Sequence, residues 1–155
     1  MFTCQARRAG CLLAHRMAAR MSQPAKSKSR AGRARKPLIY LVDDQPLLLD
    51  LAELALKDGG YTFKKFNDPL TALKSFRAAR AKPDLVISDF AMGRMSGLEL
   101  IERCKQSCPA LKSIVLSGTA GAEVILRAPV RVDRFLGKPY QASGLAEMVR
   151  GLLGG

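Results

Sequence analysis

From Pro37 to the end of the chain, short apolar runs alternate with stripes of apolar residues at helical spacing. Leu38–Val42 and Leu85–Asp89 are nearly continuous apolar runs, the pattern of strands buried on both faces. Tyr61–Phe66 alternates apolar with polar, as an edge strand does, and Ile114–Ser117 and Arg134–Leu136 complete five strands. Between them, residues 45–57 read as a helix with a stripe of Leu48, Leu51, Ala52, Leu54 and Ala55, opened by Pro46 and closed by Gly59-Gly60. Asn67-Asp68-Pro69 starts a second helix to about Ala79, with Leu70, Leu73 and Phe76 toward the core. A third runs from Ser96-Gly97 to about Ser107, where Pro109 stops it, and a short one over about 120–127 is limited by Pro129. The last, Ala142–Leu153, turns Leu145, Met148, Val149 and Leu152 inward.

Five βα units predict an α/β fold: a single domain with a doubly wound, five-stranded parallel sheet in the flavodoxin-like order 2-1-3-4-5. In that order the first and third strands are neighbours at the topological switch point, where such sheets bind ligands outside their carboxyl ends. The first strand ends in Asp43-Asp44, the third in Asp89, the fourth in Ser117, and the fifth is followed by Lys138-Pro139. Three carboxylates, one hydroxyl and one ammonium are therefore expected on one edge, a site suited to a divalent cation and a phosphoryl group. Singly, each residue has a plainer reading. Asp44 alone would cap a helix, Lys138-Pro139 alone is a solvated dipeptide, and Phe135 alone is core.

Charge divides the chain. Residues 1–36 hold ten Lys/Arg and no acid, so the remaining sixteen bases and thirteen acids leave 37–155 at only +3 of the total +13. The domain organisation expected is a basic, disordered extension over 1–36 and a folded domain over 37–155. Met17 and Met21 are alternative starts within the extension, and Cys11-Leu12-Leu13-Ala14 after Arg7-Arg8 is too short for a signal sequence. Cys104 and Cys108, four apart on a helix, are poorly placed for a disulfide and lack further zinc ligands, so buried or half-buried thiols are expected. A reducing cytoplasm fits, and no apolar stretch approaches a membrane span of roughly 18 residues.

The segments Leu41-Val42-Asp43-Asp44, Val86-Ile87-Ser88-Asp89 with Met92 and Ser96-Gly97-Leu98-Glu99-Leu100, Val115-Leu116-Ser117-Gly118 and Phe135-Leu136-Gly137-Lys138-Pro139-Tyr140 together resemble a response-regulator receiver domain of two-component signalling. The resemblance covers the whole of 37–155. It implies that Asp89 is a phosphoacceptor charged by a sensor histidine kinase or histidine phosphotransfer protein. It implies Mg²⁺ held by Asp44, Asp89 and the backbone carbonyl of Ala91, with Asp43 bound through water or orienting the shell, and phosphoryl oxygens met by Lys138 and Ser117. Phe135 matches the family's rotating switch aromatic, which reports to the face of the short fourth helix, the fifth strand and the last helix. Such a domain catalyses its own phosphorylation and is not otherwise an enzyme.

Gly93 stands where the family usually has proline, which should loosen that loop without removing any ligand. Ala91 cannot hold a hydrolytic water through its side chain and Thr119, two after Ser117, is weakly suited, so an aspartyl phosphate that is not unusually short-lived is expected. Arg127, Arg131 and Arg134 make the expected output face basic. The chain ends two residues after Leu153, from which a stand-alone receiver is expected, acting on a downstream protein or a second copy of itself. Two rivals differ in class. A nucleic-acid-associated protein could work through the basic extension, although that extension lacks interleaved aromatics. A flavin or nucleotide protein of the same fold would need a glycine-rich loop after the first strand, where Asp43-Asp44-Gln45-Pro46 would repel a phosphate.

Overall fold

The computed structural model describes residues 35–118 and 130–154. The extension before Arg35, the helix expected over about 120–127, Thr119 and Arg127 lie outside the described residues. Five parallel strands, β1 (Leu38–Val42), β2 (Thr62–Phe66), β3 (Leu85–Asp89), β4 (Lys112–Ser117) and β5 (Arg134–Gly137), form one sheet in the order β2-β1-β3-β4-β5. Four helices are described: α1 (Pro46–Leu56), α2 (Pro69–Ala78), α3 (Gly97–Ser107) and α4 (Ala142–Leu153). None is long and apolar enough to cross a membrane.

The period of two along each strand divides the core into two layers. Tyr40, Val42, Val86 and Val115 face one side with Leu73 and Phe76 of α2 and Leu98, Ile101 and Cys104 of α3. Ile39, Leu41, Leu85, Ile87, Ile114 and Leu116 face the other with Leu49, Ala52 and Leu56 of α1 and Leu145 and Val149 of α4. Both faces of the central strands are covered, which is why their sequences are apolar without alternation.

Local chemistry sets the helix starts. Asp68 caps α2, accepting hydrogen bonds from the Thr71 amide and hydroxyl at 2.7 Å each, and Ser96 caps α3 through the Glu99 amide. After α1 a 3-10 turn, Lys57–Gly59, leads to Gly60 at φ +70°, a left-handed position that glycine occupies without steric cost. Cys104 is buried and Cys108 half-buried, both as free thiols; burial pushes the Cys104 thiol up to about 11.

The stripe read for α1 is corrected by its packing. Leu49, Ala52 and Leu56 are the buried residues, whereas Leu47, Leu51 and Leu54 are 69%, 51% and 57% exposed. The helix is apolar nearly all round, so periodicity alone could not choose the face turned to the sheet. The other differences are small: β4 begins at Lys112 and β5 extends to Gly137, one residue past the expected end.

Candidate functional site at the carboxyl edge of the sheet

The parallel arrangement brings the ends of β1, β3, β4 and the residue after β5 to one edge. Registers Val42↔Ser88, Asp89↔Leu116 and Ser117↔Gly137 leave Asp43, Asp89, Ser117 and Lys138 side by side across four strands. The Lys138 amide donates to the Ser117 carbonyl at 2.7 Å, which fixes the lysine's backbone at the end of β4. Strands are about 4.8 Å apart, so an extended lysine from β5 spans β4 and reaches β3. Its Nζ lies 2.6 Å from Asp89 Oδ1 and 3.1 Å from Asp43 Oδ2.

Asp43 and Asp89 are 4% and 7% exposed. Two buried carboxylates repel each other, and the shared ammonium between them offsets that repulsion in a low dielectric. The remaining oxygens are held by the main chain. Asp43 Oδ1 accepts from the Gln45 amide at 2.9 Å, and Asp89 Oδ2 from the Ala91 amide at 2.8 Å. Burial draws the Lys138 ammonium down, but its hydrogen bonds to Asp89 and Asp43 outweigh this and hold it above its ordinary value.

The other expected residues are placed less tightly. Asp44 is exposed beside Asp43. Ser117 is buried, its hydroxyl donating to the Gly118 carbonyl at 3.0 Å. Phe135 is half-buried on β5, opposite Val115. Among the described residues no three acid, His or Cys side chains converge as a metal-ligand group. The donor chemistry still suits a hard cation: Asp43, Asp44 and Asp89 offer only oxygens, and with Lys138 their formal charge sums to −3 + 1 = −2.

Sequence reasoning missed a groove that shares the lysine's wall. Leu48, Leu51, Leu54 and Ala55 of α1 face Lys138, Pro139, Tyr140 and Ala142 across a cavity of about 460 Å³. Its signal in the sequence was the excess of leucines in Pro46–Leu56, more than one packed face can use.

The comparisons agree with one another. Residues 39–150 match the model of the family described as response regulator receiver domain. Among curated proteins, the probable transcriptional regulatory protein TcrX of Mycobacterium tuberculosis is 27% identical over 116 residues, 74% of this chain and 49% of that protein. The nitrogen assimilation regulatory protein NtrX of Azorhizobium caulinodans is 32% identical over 69% of this chain and 24% of its own length. The chain thus spans about half, or less, of these relatives. Among solved structures, the receiver domain of NtrX from Brucella abortus superposes with a TM-score of 0.67 at 31% identity, covering 75% of this chain and 98% of that one. The signal receiver domain of an HD domain-containing protein from Pseudomonas fluorescens Pf-5 gives 0.70 at 30% identity, covering 77% and 96%.

Proposed function

Because the chain belongs to the response regulator receiver domain family of two-component signalling, we propose that Asp89 is its phosphoacceptor. A carboxylate oxygen of Asp89 attacks the phosphorus of a phosphohistidine carried by a histidine kinase or histidine phosphotransfer protein. The new O–P bond forms as the donor's N–P bond breaks, and the imidazole nitrogen keeps the electron pair and takes up a proton. The observation that supports this reading is the Lys138 ammonium 2.6 Å from Asp89 Oδ1, from where it would meet charge growing on the transferring group. Receiver domains generally bind Mg²⁺ at this site; here Asp43, Asp44, Asp89 and the Ala91 carbonyl would hold it, and it would neutralise the phosphoryl oxygens.

Ser117 gives up its bond to the Gly118 carbonyl and donates to a phosphoryl oxygen. Phe135 then turns inward on β5 and changes the surface that β5 and α4 present to a downstream protein. The leucine groove favours a protein as donor, because an apolar helix face that shares Lys138 with the pocket fits a partner seated beside the reacting atoms.

Incubation with acetyl phosphate and Mg²⁺, read by intact mass, tests the assignment. Wild type should gain about 80 Da, the mass of a phosphoryl group, and Asp89→Asn should not. Equal labelling of the two would remove Asp89 from the reaction.

A further inference from the structure

We infer that Gly97, with Ser88, is a positioning residue for the phosphoacceptor, an inference that rests on the reading of Asp89 above. Gly97 opens α3, and its backbone is helical with no positive φ, so any residue could adopt its conformation. What glycine supplies there is space. A Cβ at position 97 would lie inside contact distance of the Asp89 carbonyl oxygen, 3.0 Å from the carbonyl carbon and 2.9 Å from Ser88 Oγ. The atoms in the way are strand backbone and a fully buried serine, which cannot swing aside as a long side chain would.

The same peptide is gripped from its other sides. The Ser88 hydroxyl donates to the Asp89 carbonyl at 3.0 Å. The Phe90 amide of that peptide donates to the Leu116 carbonyl at 2.8 Å, and the Gly97 amide donates to the carbonyl of the next peptide, Phe90's, at 3.1 Å. The start of α3 is therefore docked directly on the peptide that carries the acceptor. Asp89 hangs from that peptide with both oxygens committed, one to Lys138 and one to the Ala91 amide. A methyl group at position 97 must push the peptide, and the carboxylate moves with it relative to the lysine. A Cβ at Gly93, in the same loop, would meet nothing within 4 Å, so that position supplies the matched control.

The experiment follows phosphoryl uptake from acetyl phosphate with Mg²⁺ in wild type, Gly97→Ala, Gly93→Ala, Ser88→Ala and Asp89→Asn. In each turnover the Asp89 oxygen forms its bond to phosphorus, the donor's P–O bond breaks and acetate leaves. Misplacing a reacting group by about 1 Å costs on the order of 100-fold, so a smaller shift in Gly97→Ala should lower the maximal rate roughly tenfold or more. The donor concentration for half-maximal rate should stay within about twofold, because acetyl phosphate itself does not touch Gly97. Gly93→Ala should match wild type, and Ser88→Ala should fall about two- to fivefold. A crystal structure of Gly97→Ala should show the Asp89 carboxylate displaced from Lys138. A wild-type maximal rate in Gly97→Ala, an equal loss in Gly93→Ala, or an unmoved carboxylate overturns the inference. If Gly97→Ala does not fold, Ser88→Ala decides, and a wild-type rate there overturns it. Failure of wild type to label, or labelling of Asp89→Asn, overturns the phosphoacceptor reading instead, and the crystal structure still judges the peptide's position.

Discussion

Among the described residues, Lys138 is the cation on which the pocket's electrostatics turn. Its side chain is 24% exposed, against 6% and 10% for the Asp43 and Asp89 side chains it bridges. Replacing it by methionine keeps most of the stem but leaves two buried carboxylates facing each other. Removing one partner of a fully buried pair costs about 3–5 kcal/mol, and partial exposure reduces this to about 1–3 kcal/mol for Lys138→Met. Urea unfolding without divalent cations should show that loss, and Lys138→Met/Asp89→Asn should recover part of it; additive losses would disprove the coupling. Ala91 sets a second expectation at this scale. Its methyl group cannot orient water for hydrolysis, so the phosphorylated protein should persist for minutes or longer with Mg²⁺ present. A half-life of seconds would refute that.

At the scale of elements, α1 and the start of β5 show what packing adds to pattern. The starts of α2 and α3 were legible because their causes are local: Asp68 and Ser96 bond amides three residues on. The pairing of Lys138 with Asp43, 95 positions away, follows only once strand order is known. The face of α1 was not legible, because leucines at 47, 48, 49, 51, 54 and 56 satisfy more than one stripe. That misreading makes a test. Leu56→Ala, at a buried position, should cost about 2–5 kcal/mol. Leu51→Glu should change stability by no more than about 0.5 kcal/mol yet slow transfer from a protein phosphodonor while uptake from acetyl phosphate continues. Equal slowing with both donors would remove the groove from partner docking.

A second element-scale junction is Asp133, just before β5. Its Oδ2 accepts from Lys105 Nζ of α3 at 2.7 Å and from the Ser113 amide and hydroxyl of β4 at 2.9 and 2.8 Å. Burial pushes the Asp133 carboxyl up, but these hydrogen bonds outweigh it and hold the group below the usual carboxylate range. A depressed folded value contributes stability above the ordinary carboxylate pKa of about 3.9 and loses it as pH falls through the folded value. Asp133→Asn should therefore be about 1–2 kcal/mol less stable at pH 7 and converge with wild type in strong acid. Parallel stability curves across that range would show that the carboxylate's charge is not what matters.

For the folded unit as a whole, the parallel sheet separates durability from chemistry. Asp43, Asp89, Ser117 and Lys138 lie where the strands finish. Where they begin lie the Asp133 junction and the paired bonds from Arg35 to Asp84, 2.8 Å each, with the Leu38 amide on the same carboxylate. Active pockets commonly trade robustness for reactivity, because buried like charges and committed backbone both carry strain. Here that compromise is confined to one rim. On the reading of Asp89 as phosphoacceptor, variation along the opposite rim should raise or lower the melting temperature without moving a reacting atom. Thermal tolerance and signalling chemistry in this domain can therefore evolve, or be engineered, as nearly independent traits.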